Sequence, residues 1–549
     1  MFADLSAADQ VLNRCHDLLR TILQRHAAAW QEDGRLSVRQ IDANQLAAFG
    51  IAGLVADHAA ARSLLDYAAA GGDLSAGLAC AMVAEFAGRL EGEIRPCPEM
   101  YGLSAAESSA TGREDIRSFC SSARHPDQWN RLGDLLLEQG LQDERQLSED
   151  LTLVRTEFRR IVAEKVTPRA EAVHRGRGLI PEDLVRDLAE LGCFGLSIPA
   201  AYDGLMVDGE PNHLRMCLVT EELSRGSLGM AGSLTTRPEI LAKALLKGGT
   251  PEQKQHWLPA MATGEKLCAV AVTEPDYGSD VAGVRVSAEA VDGGFRLNGQ
   301  KAWCTFAGYS DVLMVLARTD PDLSRGHRGL SIFLVEKPRY KEKSFRLEQP
   351  GGGCLSGQAV DTIGYRGMHS FDVFFEDFVV PGANLLGGDG GLGKGFYYQM
   401  EGFSGGRLQT AARATGVMQA ALDKAMDYGR ERQVFGRPVA GWPLSKWKLA
   451  RMAMLTSAAR QFTYGTARQL EEDQGQVEAS MVKLWSGRAA EWVAREAMQI
   501  HGGMGYAEEY DVSRYYVDAR VLSIFEGAEE TLALRVIARQ MLERAMERN

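Results

Sequence analysis

Apolar residues early in the chain recur at three- and four-residue intervals. Val11, Leu12, Cys15, Leu18, Leu19, Ile22 and Leu23 share one face of a 3.6-residue period and predict an amphipathic helix. The same spacing returns from Leu46 to Leu65. From Leu151 to Lys266 the pattern stays helical, with breaks at Ile198-Pro199 and Thr250-Pro251, where Thr250 reads as an N-cap with proline at the first helical position. Ser104 to Gly112, rich in Ser, Ala, Gly and Glu, has little to bury and is expected to be a linker or mobile arm.

The period changes near Cys268. Val284, Val286, Ala288 and Ala290 alternate with Arg285, Ser287 and Glu289, and Gly293-Gly294 supplies a turn before Phe295 and Leu297, which predicts an antiparallel hairpin. Asp311 to Leu316, Leu330 to Glu336 and Phe371 to Val380 extend this into an all-β segment. After Pro381 the helical period returns, as at Met418, Ala421, Leu422, Ala425 and Met426. The expected fold class is therefore mainly α with one β-domain, in the order helical, helical, β, helical.

Length and composition narrow the function. A chain of 549 residues exceeds what one hydrophobic core organises, and 45% hydrophobic with 24% charged residues is the balance of an ordinary soluble protein. No apolar run reaches membrane-spanning length, and the opening Met1-Phe-Ala-Asp-Leu-Ser lacks the basic-then-apolar pattern of a secretion signal, so a cytoplasmic location is expected. Nine cysteines without a C-x-x-C pair argue against a disulfide framework and a zinc site, so no metal is expected. A net charge of -12 without a basic block disfavours nucleic-acid binding.

Gly388-Asp-Gly-Gly-Leu-Gly393-Lys394 fits the core of a phosphate-binding loop, but Gly395 stands where Ser or Thr would hold magnesium, and no parallel βαβ context surrounds it. It reads instead as a flexible entry into the next helix. Ala269 to Asp280 joins an apolar strand to a loop carrying Thr273, Gly278 and Ser279, which can offer hydroxyls and backbone N–H groups to a polar ligand. In Asn298 to Thr305, two-residue alternation puts Trp303 and Thr305 on one strand face. Arg430-Glu-Arg432-Gln-Val-Phe435-Gly436, Gln499-Ile-His-Gly502-Gly503-Met-Gly505-Tyr506 and Ile524-Phe525-Glu526-Gly527-Ala528 complete the set.

In identity, order and separation these segments resemble the acyl-CoA dehydrogenase family over about residues 150 to 549. The resemblance implies an N-terminal helical extension at 1–147, a helical domain at 148–267, a β-barrel-like middle domain at 268–384 and a C-terminal four-helix bundle at 385–549. It implies FAD as cofactor, with Thr273, Ser279, Trp303 and Thr305 at the isoalloxazine and Val272 and Gly278 among the other cofactor-binding residues. Arg432, Phe435, Gln499, Gly502, Gly503, Ala528 and Glu530 complete the cofactor set, several of them serving a neighbouring subunit's FAD. That sharing implies a homo-oligomer, a dimer or a tetramer. Family members carry their base either in the Glu-Gly loop or just before the arginine of the first C-terminal helix; the latter position is Gly406, before Arg407, so Glu526 is the implied catalytic base. Ser279, Arg407 and Gly527 are implied to contact the acyl-CoA, and an electron-transfer flavoprotein is the implied electron acceptor.

The extension, together with Gly232-Ser-Leu-Thr-Thr-Arg237 and Ile363-Gly-Tyr-Arg-Gly367, resembles the branch of the family that oxidises (2S)-methylsuccinyl-CoA to mesaconyl-CoA. Arg237 is then the candidate partner of the distal carboxylate. A neutral short branched acyl-CoA, or oxidase chemistry on the same fold, is the alternative.

Overall fold

The computed structural model describes residues 4–108, 114–142 and 145–547. It contains helices α1 (Leu5–Ala29), α2 (Gln45–Ala68), α3 (Asp73–Ile94), α4 (Pro126–Gln139), α5 (Asn212–Gly226) and α6 (Thr236–Gly248), followed by strands β1 (Cys268–Ala271), β2 (Ser287–Val291), β3 (Gly294–Thr305), β4 (Val312–Arg318), β5 (Leu330–Glu336), β6 (Ser344–Glu348), β7 (Cys354–Val360) and β8 (Ser370–Pro381). Helix α7 (Gly395–Glu431), the short strands β9 (Gln433–Val434) and β10 (Arg437–Pro438), and helices α8 (Pro443–Glu471), α9 (Gln476–His501) and α10 (Asp511–Val521) follow. The chain divides into two compact units, Met1–Thr152 with Thr410–Asn549, and Leu153–Gln409.

Within Leu153–Gln409 the strands form an eight-stranded sheet in the order β1-β4-β2-β3-β8-β7-β6, with β5 paired to β4. Most pairings are antiparallel; β1 runs parallel to β4. Strand β4 is buried along its whole length, with Leu313, Val315 and Ala317 in one apolar cluster and Val312, Met314 and Leu316 in another. Two covered faces explain its unbroken apolar run. The second cluster includes Leu241 and Leu245 of α6 and Trp257 and Leu258 of the helix Pro251–Ala262. That helix starts as expected, with Thr250 and Gln253 forming a reciprocal capping box.

Two expectations are corrected here. Strand β2 begins at Ser287 rather than Val284, because the N–H groups of Arg285 and Val286 donate to the Glu274 carboxylate and are withdrawn from the ladder. The first part of the Ser104 segment is tied down: Ser104 and Glu107 bond reciprocally, Arg25 pairs with Glu107 at 2.5 Å, and a short helix spans Ala105–Ser108. Residues 109–112 of the expected arm lie outside the described residues.

In the other unit α2 lies among α1, α3, α8 and α9, and nearly every turn of it is buried, from Ala47 to Ala68. Arg451 of α8 holds Glu85 of α3 at 2.8 Å, and Lys446 holds Asp134 of α4 at 2.5 Å. The N-terminal helices and the C-terminal bundle thus share one core. Among the described residues no helix is long and apolar enough to cross a membrane, and no cluster of His, Cys, Asp or Glu could hold a metal.

Candidate active site

The candidate residues fall into two groups, one in each unit. In the first, Thr273 and Trp303 are brought together across the sheet: the Thr273 carbonyl accepts from the Ala302 N–H at 2.8 Å. The β3–β8 register shifts between Lys301 and Cys304, so Ala302 and Trp303 together oppose a single residue of β8. Trp303 has φ +57 and is 59% exposed, whereas Thr305 is buried with its hydroxyl 2.9 Å from that of Ser370. The alternation that predicted one face for both residues is thus interrupted by a bulge. Its backbone strain displays a large planar ring at the surface, a cost tolerated mainly at functional positions.

Sequence reasoning missed what holds this bulge. The fully buried Lys301 donates to the Val272 carbonyl at 2.9 Å and pairs with Glu274 at 2.8 Å, fixing the residues on both sides of Thr273. Burial lowers the Lys301 ammonium from the usual lysine range while Glu274 opposes that shift. The signal was legible: a lysine directly ahead of the apolar run Ala302-Trp303-Cys304. Val272 is buried, Thr273 half-buried, and Gly278 and Ser279 are exposed on the following loop, with open space where a Gly278 side chain would project.

Arg237 opens α6 and is buried. Its guanidinium donates to the Ser233 carbonyl at 2.9 Å and to the Tyr365 hydroxyl at 3.1 Å. Among the described residues it has no ion pair. The nearby acids are engaged elsewhere: Glu239 with Lys243 at 2.7 Å and with Gln409, and Glu222 with Arg155, Arg159 and Arg225. Arg407 is half-buried on α7, its guanidinium 5.8 Å from the Phe403 ring centre. Gly388–Gly391 forms a short 3-10 turn leading into α7, next to antiparallel strands, which fits a helix entry rather than a phosphate loop.

In the other unit, β9 and β10 form a hairpin whose turn residues, Phe435 at φ +48 and Gly436 at φ +81, both adopt left-handed backbone. Phe435 is 94% exposed at the tip, and Arg432 is exposed beside it. Helix α9 stops at Gly502, where φ +61 and ψ -136 exclude side chains; exposed Gln499 lies in its last turn. A side chain at Gly503 would meet nothing within 4 Å, and its backbone is not left-handed, so internal packing does not demand glycine there.

Glu526 lies in the loop between α10 and the helical turn Glu529–Thr531, half-buried, with φ +54. A non-glycine residue in this conformation costs about 1–3 kcal/mol and persists where its surroundings over-determine it. Those surroundings are visible. Lys483 donates to the Gly527 carbonyl at 2.5 Å, the Ser523 hydroxyl bonds Glu491 at 2.6 Å, Arg413 lies 4.9 Å from the Phe525 ring centre, and the Glu529 N–H closes the loop onto the Ser523 carbonyl at 3.2 Å. Among the described residues no acceptor takes the Glu526 N–H. Gly527 is half-buried, Ala528 N-caps the turn Glu529–Thr531, and Glu530 is exposed.

Three family models match in succession: the acyl-CoA dehydrogenase N-terminal domain at residues 148–265, the middle domain at 269–378 and the C-terminal domain at 393–542. The chain belongs to the acyl-CoA dehydrogenase family. It is 44% identical over 401 residues to (2S)-methylsuccinyl-CoA dehydrogenase of Cereibacter sphaeroides, covering 72% of this chain and 70% of that one. A solved glutaryl-coenzyme A dehydrogenase bound to glutaryl-CoA shares the fold with TM-score 0.66 and 32% identity, over 72% of this chain and 96% of that one. A chain solved in work on the electron transferring flavoprotein of Acidaminococcus fermentans matches with TM-score 0.65 and 30% identity, over 73% and 99%.

The enzyme is an FAD-dependent oxidoreductase acting on acyl-CoA. Its own residues fit that cofactor: the Trp303 ring displayed beside Thr273, and the glycine backbones at 278 and 503 left open where side chains could stand.

Proposed function

We propose that this dehydrogenase oxidises (2S)-methylsuccinyl-CoA to mesaconyl-CoA with Glu526 as base. The observation that carries the substrate assignment is Arg237. Among the described residues this buried guanidinium has only a carbonyl and a phenol for partners and carries an unbalanced charge, which an anionic ligand relieves. A carboxylate on the acyl group supplies that anion, and a guanidinium can grip it through two parallel N–H bonds. The identity to a methylsuccinyl-CoA dehydrogenase supports the same reading.

In this reading the Glu526 carboxylate removes the α-proton and retains it, while the Glu526 N–H donates to the thioester oxygen as negative charge grows there. When bound, FAD supplies the two-electron acceptor for the hydrogen that leaves Cβ, so the double bond forms between Cα and Cβ. Position 406, which the family resemblance gives as the other place for a base, is glycine here and offers no carboxylate, which supports Glu526 in that role. The exposed Phe435 and Arg432 hairpin suits contact with the FAD of a second subunit, so a homo-oligomer is part of the proposal. An electron-transfer flavoprotein is the proposed acceptor of the electrons.

Anaerobic bleaching of the flavin absorbance across a panel of carboxylated and neutral short acyl-CoAs tests the assignment. Methylsuccinyl-CoA should bleach the flavin fastest. Faster bleaching by isobutyryl-CoA would assign a neutral substrate, and rapid reoxidation by oxygen would assign an oxidase.

A further inference from the structure

The residues ahead of the family domains have no assigned task, yet through Arg488 and Arg535 they reach the residues that flank the loop carrying Glu526. Asp57 is the one buried acid of helix α2, 6% exposed among mostly apolar buried residues. The carboxylate accepts from the Trp485 indole N–H of α9 at 3.0 Å and pairs with Arg89 of α3 at 2.6 Å. Gly53, one turn earlier on α2, makes the space for this arrangement; a side chain there would come within 3.3 Å of the Arg89 guanidinium and 3.6 Å of the Arg488 guanidinium. Phe49, one further turn back, presents its ring to Arg488 with the guanidinium carbon 5.0 Å from the ring centre. Phe49, Gly53 and Asp57 therefore form one stripe of α2 facing Arg488.

Arg488 connects that stripe to the catalytic loop. Its Nε donates to the Glu529 carboxylate at 2.9 Å, and the Glu529 N–H closes the loop onto Ser523. The same side of α9 supplies Lys483 to the Gly527 carbonyl and Glu491 to the Ser523 hydroxyl, while Gly487 lets the helix approach the Leu522 carbonyl, 3.2 Å from where a side chain would stand. A second strut comes from the segment before α2: Asp42 pairs at 2.8 Å with Arg535 in the helical turns after the loop. The left-handed Glu526 backbone thus lies between anchors, two of which depend on residues of the N-terminal extension.

We propose that the N-terminal extension is a positioning element for the base: through contact with the Phe49 ring and the charge of the nearby Asp57 it holds Arg488, and Arg488, through Glu529, sets the geometry of the Glu526 loop. This rests on the reading that Glu526 is the base. Removing the support lets the strained loop relax, and displacement of a catalytic group by about 1 Å costs on the order of a hundredfold in rate. The extension acts on the chemical step rather than on acyl-CoA binding.

The test uses full-length holoenzyme and four single variants, Phe49→Leu, Asp57→Asn, Arg488→Lys and Glu526→Gln, with anaerobic stopped-flow bleaching by α-protonated and α-deuterated methylsuccinyl-CoA. Asp57→Asn keeps an acceptor for Trp485 and Phe49→Leu keeps apolar bulk, so both can fold. In Phe49→Leu and Asp57→Asn the limiting bleaching rate should fall by about tenfold or more, with a larger α-deuterium isotope effect, unchanged FAD content and unchanged substrate dissociation constant. Arg488→Lys should fall at least as far, because the other two variants act through this side chain and lysine lacks the Nε–H that holds Glu529. Bleaching at the wild-type rate in Phe49→Leu and Asp57→Asn, with Glu526→Gln inactive, overturns the extension's role and leaves the base assignment standing. Parallel losses of rate, substrate affinity and FAD content indicate plain destabilisation and also overturn it. Near wild-type bleaching by Glu526→Gln removes the base assignment and this inference together.

Discussion

Arg237 donates to the Tyr365 hydroxyl at 3.1 Å, a bond that joins positions 128 residues apart in the chain. The two segments it links, Gly232 to Arg237 and Ile363 to Gly367, are those that resemble the methylsuccinyl-CoA branch of the family. The turn Leu228–Gly232 that leads into the first segment packs closely on the second: a side chain at Gly367 would stand 2.8 Å from the Met230 backbone, and one at Gly229 would meet the Arg366 carbonyl at 2.4 Å. The arginine is therefore set by a tertiary contact that both motifs build.

Arg237→Met should reduce kcat/KM for methylsuccinyl-CoA by roughly a hundredfold, because breaking a buried ion pair costs about 3 kcal/mol or more. Turnover of a neutral branched acyl-CoA of similar size should be kept or improved. Steady-state rates on the two substrates decide the matter; equal losses would make Arg237 a structural residue and withdraw the carboxylate assignment.

Glu526→Gln should bind acyl-CoA and retain FAD, yet bleach the flavin at least about a hundredfold more slowly, the lower range for a positioned base. The measurement is single-turnover bleaching, which separates binding from the chemical step. A rate near that of the wild type would move the base to another residue.

Gly503→Val adds a side chain into open space without forcing a left-handed backbone. The apoprotein should therefore melt at the wild-type temperature while FAD affinity drops, since a branched side chain obstructs close approach of the pyrophosphate. Differential scanning calorimetry of the apoprotein and flavin titration test the two halves. A variant that loses apoprotein stability but binds FAD normally contradicts the assignment.

His58 gives a pH dependence. Burial beside His16 and Phe86 pushes its imidazole from 6.5 down to about 3. The unfolded chain therefore takes up this proton first: His58 is neutral in its effect above pH 6.5, and stability is lost as pH falls from 6.5 towards 3. At pH 5 the loss is about 1 to 2 kcal/mol. Asp57, pushed up by burial from 3.8 to about 6, acts in the opposite direction between those values. The informative quantity is thus the difference between His58→Leu and wild type in denaturant titrations. It should favour the variant progressively below pH 6.5, and parallel stability curves would exclude the effect.

Sequence alone determined many local elements and the family's motifs. Helical periodicity found α1 and α2, alternation and apolar runs found β3, β4, β5 and β8, and Thr250-Pro251 announced a capped helix, because these signals repeat within a few residues. The Glu526 loop and the glycines at 502 and 503 were legible as motifs for the same reason. What tertiary structure decided lies where distant groups compete for backbone hydrogen bonds or share a buried charge. Glu274 claims the N–H groups of Arg285 and Val286 and delays β2; the Thr273 carbonyl takes the Ala302 N–H at the bulge that displays Trp303. The Asp57 to Trp485 bond spans 428 residues, and no local period can announce such a pairing. Sequence offered an arginine at 488 and an aromatic at 49, but only the packing of α2 against α9 made them neighbours, because the apolar surface of α2 needed that face to be buried.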